Sequence, residues 1–164
     1  MNGSNKTIYD FRLKDASGKE VDMSTYRGKV LLIVNTATGC GLWPQMKDLE
    51  MMREKYHERG FEVLLFPSNS FYQEPKSSSE VQQVCEINYR SPFVVFEKAP
   101  VRGSGAQPLY RWLKQQSGVY PFWNFHKYFI DRKGNVAGWF NPLRRVTHDK
   151  ITAFTEKLLN QPTD

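Results

Sequence analysis

The chain has 164 residues, which bounds it to about one domain with enough surface to bury a real core. Hydrophobic residues make up 40%, charged residues 24% and aromatics 14%, a globular balance that excludes disorder. The longest aliphatic run, Val30 to Val34, is too short to span a bilayer, and two cysteines with three histidines exclude a disulfide-rich scaffold or a Cys-rich zinc module.

The net charge of +6 favours anionic partners in general, but the basic residues form no run. Arg144-Arg145 and the cations between Lys127 and Lys133 are short and interrupted, and no nucleic-acid-binding signature appears, so they read as a solvated basic surface. Residues 1–7 read as a loose tail with no apolar segment of the secretory kind. The expectation is therefore a cytoplasmic location, where both cysteines are free thiols.

No repeat or linker divides residues 1–164, so they read as a single domain. Tyr9 to Leu13, a turn over Asp15-Ala16-Ser17-Gly18 and Glu20 to Met23 predict an N-terminal β-hairpin. Lys29 to Thr36 is a continuous apolar and β-branched run, the pattern of a strand covered on both faces. From Pro44, Met46, Leu49, Met52 and Tyr56 recur at helical spacing until Gly60 stops the helix. Phe61 to Phe66 is a second buried strand, and residues 67–79 form a polar loop ending in serine N-caps for a helix to Tyr89.

Phe93 to Phe96 is a third strand, and Gly103-Ser104-Gly105 is a turn. Pro108 to Gln116 is a short helix with Leu109, Trp112 and Leu113 on one side. Phe125 to Asp131 and Asn135 to Phe140 flank Arg132-Lys133-Gly134 as a second hairpin, and His148 to Leu159 is a closing helix. Strands alternating with helices in this order define an α/β protein, a central sheet covered by helices.

Cys40 falls at the turn between a buried strand and a helix N-terminus. Unpaired backbone N–H groups and the helix macrodipole there stabilise a thiolate over a thiol. Gly39 and Gly41 flank the sulfur and leave room for an O–O bond to approach in line. Cys40-Gly41-Leu42-Trp43 is not a CxxC dithiol motif.

Three segments carry a specific resemblance. Asn35-Thr36-Ala37-Thr38-Gly39-Cys40-Gly41-Leu42-Trp43-Pro44-Gln45 resembles the active-site signature of the glutathione peroxidase family in its cysteine form. Pro67-Ser68-Asn69-Ser70-Phe71 with Gln73-Glu74-Pro75 resembles the family's second signature loop, and Trp123 to Asp131 its third. The resemblance runs from about residue 8 to residue 159. It implies a thioredoxin-like fold, with a central mixed sheet flanked by helices, and reduction of hydrogen peroxide or organic hydroperoxides by thiols.

The resemblance also assigns roles. Cys40 is the expected peroxidatic cysteine, with Trp123 and Asn124 as its partners; an indole N–H and a carboxamide N–H can both donate to a thiolate and then to departing hydroxide. Ser70 stands where the second loop of the family usually has a Gln, and the loop is one residue short. The shorter hydroxyl reaches the sulfur only if the loop moves inward, or Gln73 swings in as a substitute. Trp43 stands where a small Thr is common. Cys85 falls where many cysteine members carry a resolving cysteine, although helical periodicity alone reads it as core beside Val81.

The implied cycle runs from a Cys40 sulfenic acid to a Cys40–Cys85 disulfide reduced by thioredoxin, or to direct reduction of the sulfenic acid by glutathione. No metal, flavin, haem or nucleotide motif appears, so no cofactor is expected. The short link from Gln116 to Phe125 resembles members without the oligomerisation loop, which implies a monomer whose open mouth admits lipid hydroperoxides. The alternative on the same fold is a thiol redox sensor with weak turnover.

Overall fold

The computed structural model describes residues 6–90 and 92–163. A five-stranded mixed sheet has the order β5-β4-β3-β6-β7, with β3 spanning Val30–Thr36, β4 Phe61–Pro67, β5 Val94–Val95, β6 Lys127–Ile130 and β7 Val136–Phe140. β3, β4 and β5 run parallel, while β6 pairs antiparallel with both β3 and β7. A separate antiparallel ribbon joins β1 (Arg12–Lys14) to β2 (Glu20–Asp22).

Every side chain of β3 and β4 is buried, as their unbroken apolar runs require. Alternation along β3 divides the core. Val30, Leu32 and Val34 face helices α1 (Gln45–Tyr56), α2 (Ser78–Asn88) and α4 (Asp149–Leu159) through Met46, Leu49, Val81, Cys85 and Ile151. Leu31 and Ile33 face α3 (Pro108–Ser117) through Leu109, Tyr110 and Leu113 on the other side. The sheet is thus covered by helices on both faces.

The predicted helix ends are present. Ser77 caps α2 with its hydroxyl on the Glu80 N–H in a capping box, and Gly60 takes a left-handed φ of 89° after α1 and a short 3-10 turn. Several strand ends differ from expectation; β6, for one, starts at Lys127 rather than Phe125, whose φ of 69° is not extended. The chain does not enter β1 at Tyr9, because Thr7 and Asp10 form a capping box around a 3-10 turn, Ile8–Asp10. Thr7 is therefore anchored within the expected tail, of which residues 1–5 lie outside the described residues. At the sheet edge, β5 keeps only Val94–Val95.

Candidate active site

Cys40 lies between β3 and α1 and is 5% exposed. α1 begins only at Gln45, so a run of turns separates the sulfur from the helix. Within that run the Cys40 N–H donates to Ala37 O (3.2 Å) and the Trp43 N–H donates to Cys40 O (3.0 Å). The Leu42 N–H donates to Cys40 Sγ at 3.4 Å. The sulfur therefore caps a turn, as the side-chain oxygen of Ser or Asp does elsewhere, and a nearby amide rather than the helix terminus meets it.

The glycines beside it differ in their reasons. A Cβ on Gly39 would stand 2.7 Å from Gln73 O, which accepts the Gly39 N–H at 2.9 Å. Close backbone approach, rather than access for a peroxide, demands glycine at this position. Nothing lies within 4 Å of a Cβ built on Gly41, so a side chain would meet open space there.

The loop after β4 turns sharply, with the Tyr72 N–H on Asn69 O at 2.9 Å and Tyr72 at a φ of 62°. This turn separates the partners of Ser70 from those of Gln73. The Ser70 hydroxyl oxygen accepts from the Val101 N–H and the Ser68 hydroxyl, each at 3.0 Å. Gln73 turns to the Trp123–Asn124 segment, and its Oε1 accepts from Asn124 Nδ2 at 3.0 Å. Gln73, rather than Ser70, is thus the side chain of the second loop that is joined to Asn124.

Asn124 is fully buried, and its Oδ1 has no hydrogen-bond partner among the described residues. Trp123 is 38% exposed, with its ring tilted on Phe71 at 4.9 Å. Asn35, the first polar residue at the end of the apolar β3 run, holds this segment. Its Nδ2 donates to Trp123 O at 3.0 Å, its Oδ1 accepts the His126 N–H at 3.1 Å and its carbonyl accepts the Phe125 N–H at 2.6 Å. Phe125 itself sits at a φ of 69°, a strained conformation that these bonds and its ring contact with Trp43 maintain.

Cys85 is buried on α2, in the same core cluster as Cys40, and both thiols are free. Burial, then the negative charges of Glu74 and Glu86, push its thiol up to about 12. In place it is a packed, protonated thiol.

Two positioning residues escape a reading of the sequence. Glu74, 1% exposed, accepts from the Thr38 N–H (3.0 Å) and the Thr38 hydroxyl (2.6 Å), tying the second loop to the Cys40 loop. Lys127 is fully buried and donates to Gln45 Oε1 (2.8 Å) and Pro142 O (2.9 Å), tying β6 to the first turn of α1. The one signal in the sequence is for Lys127, a charged residue at the start of an apolar strand; Glu74, in a polar loop, offers none.

The fold is that of the thioredoxin family: a thiol:disulfide interchange protein from Chlorobium tepidum, 17% identical, superposes over 92% of this chain and 93% of its own with a TM-score of 0.62. The glutathione peroxidase family profile matches residues 8–114. A glutathione peroxidase homolog of Neisseria meningitidis is 41% identical over 93% of this chain and 99% of its own. A Solanum lycopersicum protein named "probable phospholipid hydroperoxide glutathione peroxidase" is 41% identical over 84% of this chain and 85% of its own. The apo crystal structure of Trgpx is 33% identical, with a TM-score of 0.77 over 97% of this chain and 99% of that one. The chain belongs to the glutathione peroxidase family, and it is a thiol-dependent peroxidase.

Proposed function

We propose that Cys40 is the peroxidatic residue, activated by the Leu42 amide and by Trp123, Asn124 and Gln73. The thiolate attacks one peroxide oxygen, the O–O bond breaks, and the other oxygen leaves as water or alcohol after taking a proton. Cys40 becomes a sulfenic acid. The single observation that carries this reading is the double hold of Gln73. Its backbone carbonyl binds Gly39, next to Cys40, and its side chain binds Asn124, next to Trp123. An amide pair of this kind supplies polar groups where charge develops during oxygen transfer.

Cys85 then attacks the Cys40 sulfur; a sulfur–sulfur bond forms, the sulfur–oxygen bond breaks, and water departs. An external dithiol, thioredoxin, restores both thiols by exchange, with glutathione as the alternative donor. No metal or organic cofactor enters this cycle. Substrates extend from hydrogen peroxide to lipid hydroperoxides, in keeping with the name of the Solanum lycopersicum relative and with the exposed apolar groups Tyr72, Phe122 and Trp123. The protein acts as a monomer in the cytoplasm.

The test is peroxide consumption by the wild type, Cys40→Ser and Cys85→Ser, with thioredoxin or glutathione as donor and hydrogen peroxide or a phospholipid hydroperoxide as substrate. Cys40→Ser should abolish every activity, and Cys85→Ser should lose chiefly the thioredoxin-linked one. Full thioredoxin-linked turnover in Cys85→Ser would remove the resolving role, and residual turnover in Cys40→Ser would remove the peroxidatic one.

A further inference from the structure

α2 is the helix least built into the core. Only Val81 and Cys85 of its 11 residues are buried, whereas α1 buries Met46, Leu49, Met52 and Tyr56 along with four polar side chains. Ile87 on its outer face is 82% exposed. The C-terminal end of α2 is instead fastened from outside by α1.

The fastening is a small cluster of named groups. The Glu50 carboxylate, itself buried, accepts the backbone N–H of Arg90 just beyond α2. Lys47 Nζ lies 3.5 Å from Glu50 Oε1 and 5.3 Å from the centre of the Tyr89 ring. The Trp43 ring tilts against Tyr89 at 6.4 Å, and Tyr89 meets the edge of Phe93 at 5.7 Å. The Tyr89 N–H closes the last turn of α2 on the carbonyl of Cys85 (3.1 Å), so holding residues 89 and 90 holds the turn that carries the second thiol. A cleft of about 360 Å³ lined by Cys85, Glu86, Tyr89, Arg90 and Phe93 runs alongside this end of the helix.

Resolution makes two demands on the second thiol. The attacking group is a thiolate, and a buried Cys85 is held as the thiol. The new bond also needs the two Cα atoms within about 7 Å and the sulfur free to approach in line. Loosening the last turn of α2 relieves the burial that holds Cys85 as the thiol and frees its sulfur to move. The balance is Cys40–SOH plus Cys85–SH giving Cys40–S–S–Cys85 plus water, with the peroxide of the preceding step as oxidant.

We infer that Glu50 is a positioning residue for the resolving step: its carboxylate latches the C-terminal turn of α2 and sets how often the Cys85 helix is released to meet oxidised Cys40. The inference rests on the resolving role proposed for Cys85. Removing one charge-assisted hydrogen bond from a part-buried latch raises the released population about tenfold.

The experiment compares the wild type, Glu50→Ala, Glu50→Gln and Cys85→Ser as full chains in a single turnover with one equivalent of hydrogen peroxide. Sulfenic acid and disulfide are counted by quenched-flow thiol blocking and mass measurement. Backbone hydrogen exchange is recorded on the reduced proteins. Glu50→Ala should oxidise Cys40 at the wild-type rate, form the disulfide about tenfold faster, and exchange faster within α2 alone. Glu50→Gln keeps an oxygen acceptor without the charge and should fall between the two. Equal or slower disulfide formation in both Glu50 variants, with α2 exchange unchanged, overturns the latch. A wild type that oxidises Cys40 as Cys85→Ser does, and forms no disulfide, overturns the resolving role of Cys85 and the latch with it.

Discussion

Asn124 donates its side-chain N–H to Gln73 Oε1 across 3.0 Å, joining two loops that lie 51 residues apart in the chain. The same Gln73 receives the Gly39 N–H on its backbone carbonyl. One residue therefore fixes both the loop that carries Cys40 and the segment that carries Trp123. Ser70, three positions earlier, is spent on Val101 and Ser68. Gln73→Ala should slow the oxidation of Cys40 by peroxide by up to about 100-fold, the lower bound of the loss that follows removal of a group acting directly in an oxyanion-stabilising set, because Gln73 acts through Asn124. Ser70→Ala should leave that rate within about threefold and cost about 1 kcal/mol of stability, as one neutral hydrogen bond does. Stopped-flow oxidation of the two variants by hydrogen peroxide separates them, and a larger loss in Ser70→Ala would reverse the assignment.

The two glycines around the cysteine make a paired prediction. At Gly39 a methyl group would stand 2.7 Å from the Gln73 carbonyl, a backbone atom that moves only with its loop. Gly39→Ala should therefore cost about 1–3 kcal/mol through overpacking and break the Gly39–Gln73 bond, with peroxidase activity falling in step. Gly41→Ala meets nothing within 4 Å and should keep wild-type stability. Thermal unfolding of both variants, with peroxidase assays alongside, checks the contrast; equal stability of the two proteins would contradict it.

Much of this architecture is legible in the sequence because the signals are local. The apolar runs of β3 and β4, the helical spacing of Met46, Leu49, Met52 and Tyr56, the Ser77 cap and the Gly60 stop each depend on neighbours a few residues away. The site was legible as far as its motifs, which name Cys40, Trp123 and Asn124. The choice between Ser70 and Gln73 was not, because it turns on the left-handed backbone at Tyr72, a non-glycine position where no composition rule predicts it. Glu74 and Lys127 were missed for another reason. Charged residues are exposed by default, and the partners that allow these two to be buried, Thr38 and Gln45, lie 36 and 82 residues away.

Two neighbours on or beside β6 carry the pH dependence of stability. Burial, and then the charge of Lys127, lower the His126 imidazole from 6.5 to about 3. Between those values the unfolded chain binds a proton that the folded chain refuses, so stability rises with pH across this window and is lost on acidification. Burial lowers the Lys127 amine from 10.5 to about 7, with Asp48 pulling in the opposite direction. Above about pH 7 the unfolded chain again holds the extra proton, and stability continues to rise. From its ordinary 9.0 upward Cys85 offsets what remains of the Lys127 rise, because the folded chain then keeps a proton that the unfolded chain sheds, and the rise ends there. The reduced wild type should therefore be most stable near about pH 9 rather than at neutrality. His126→Phe should flatten the rise between about pH 4 and 6.5, and Lys127→Met should flatten the rise between about pH 7 and 9. Urea unfolding at closely spaced pH values measures both slopes. A wild-type curve already flat from pH 7 to 9 would show that the buried amine keeps its ordinary affinity for the proton.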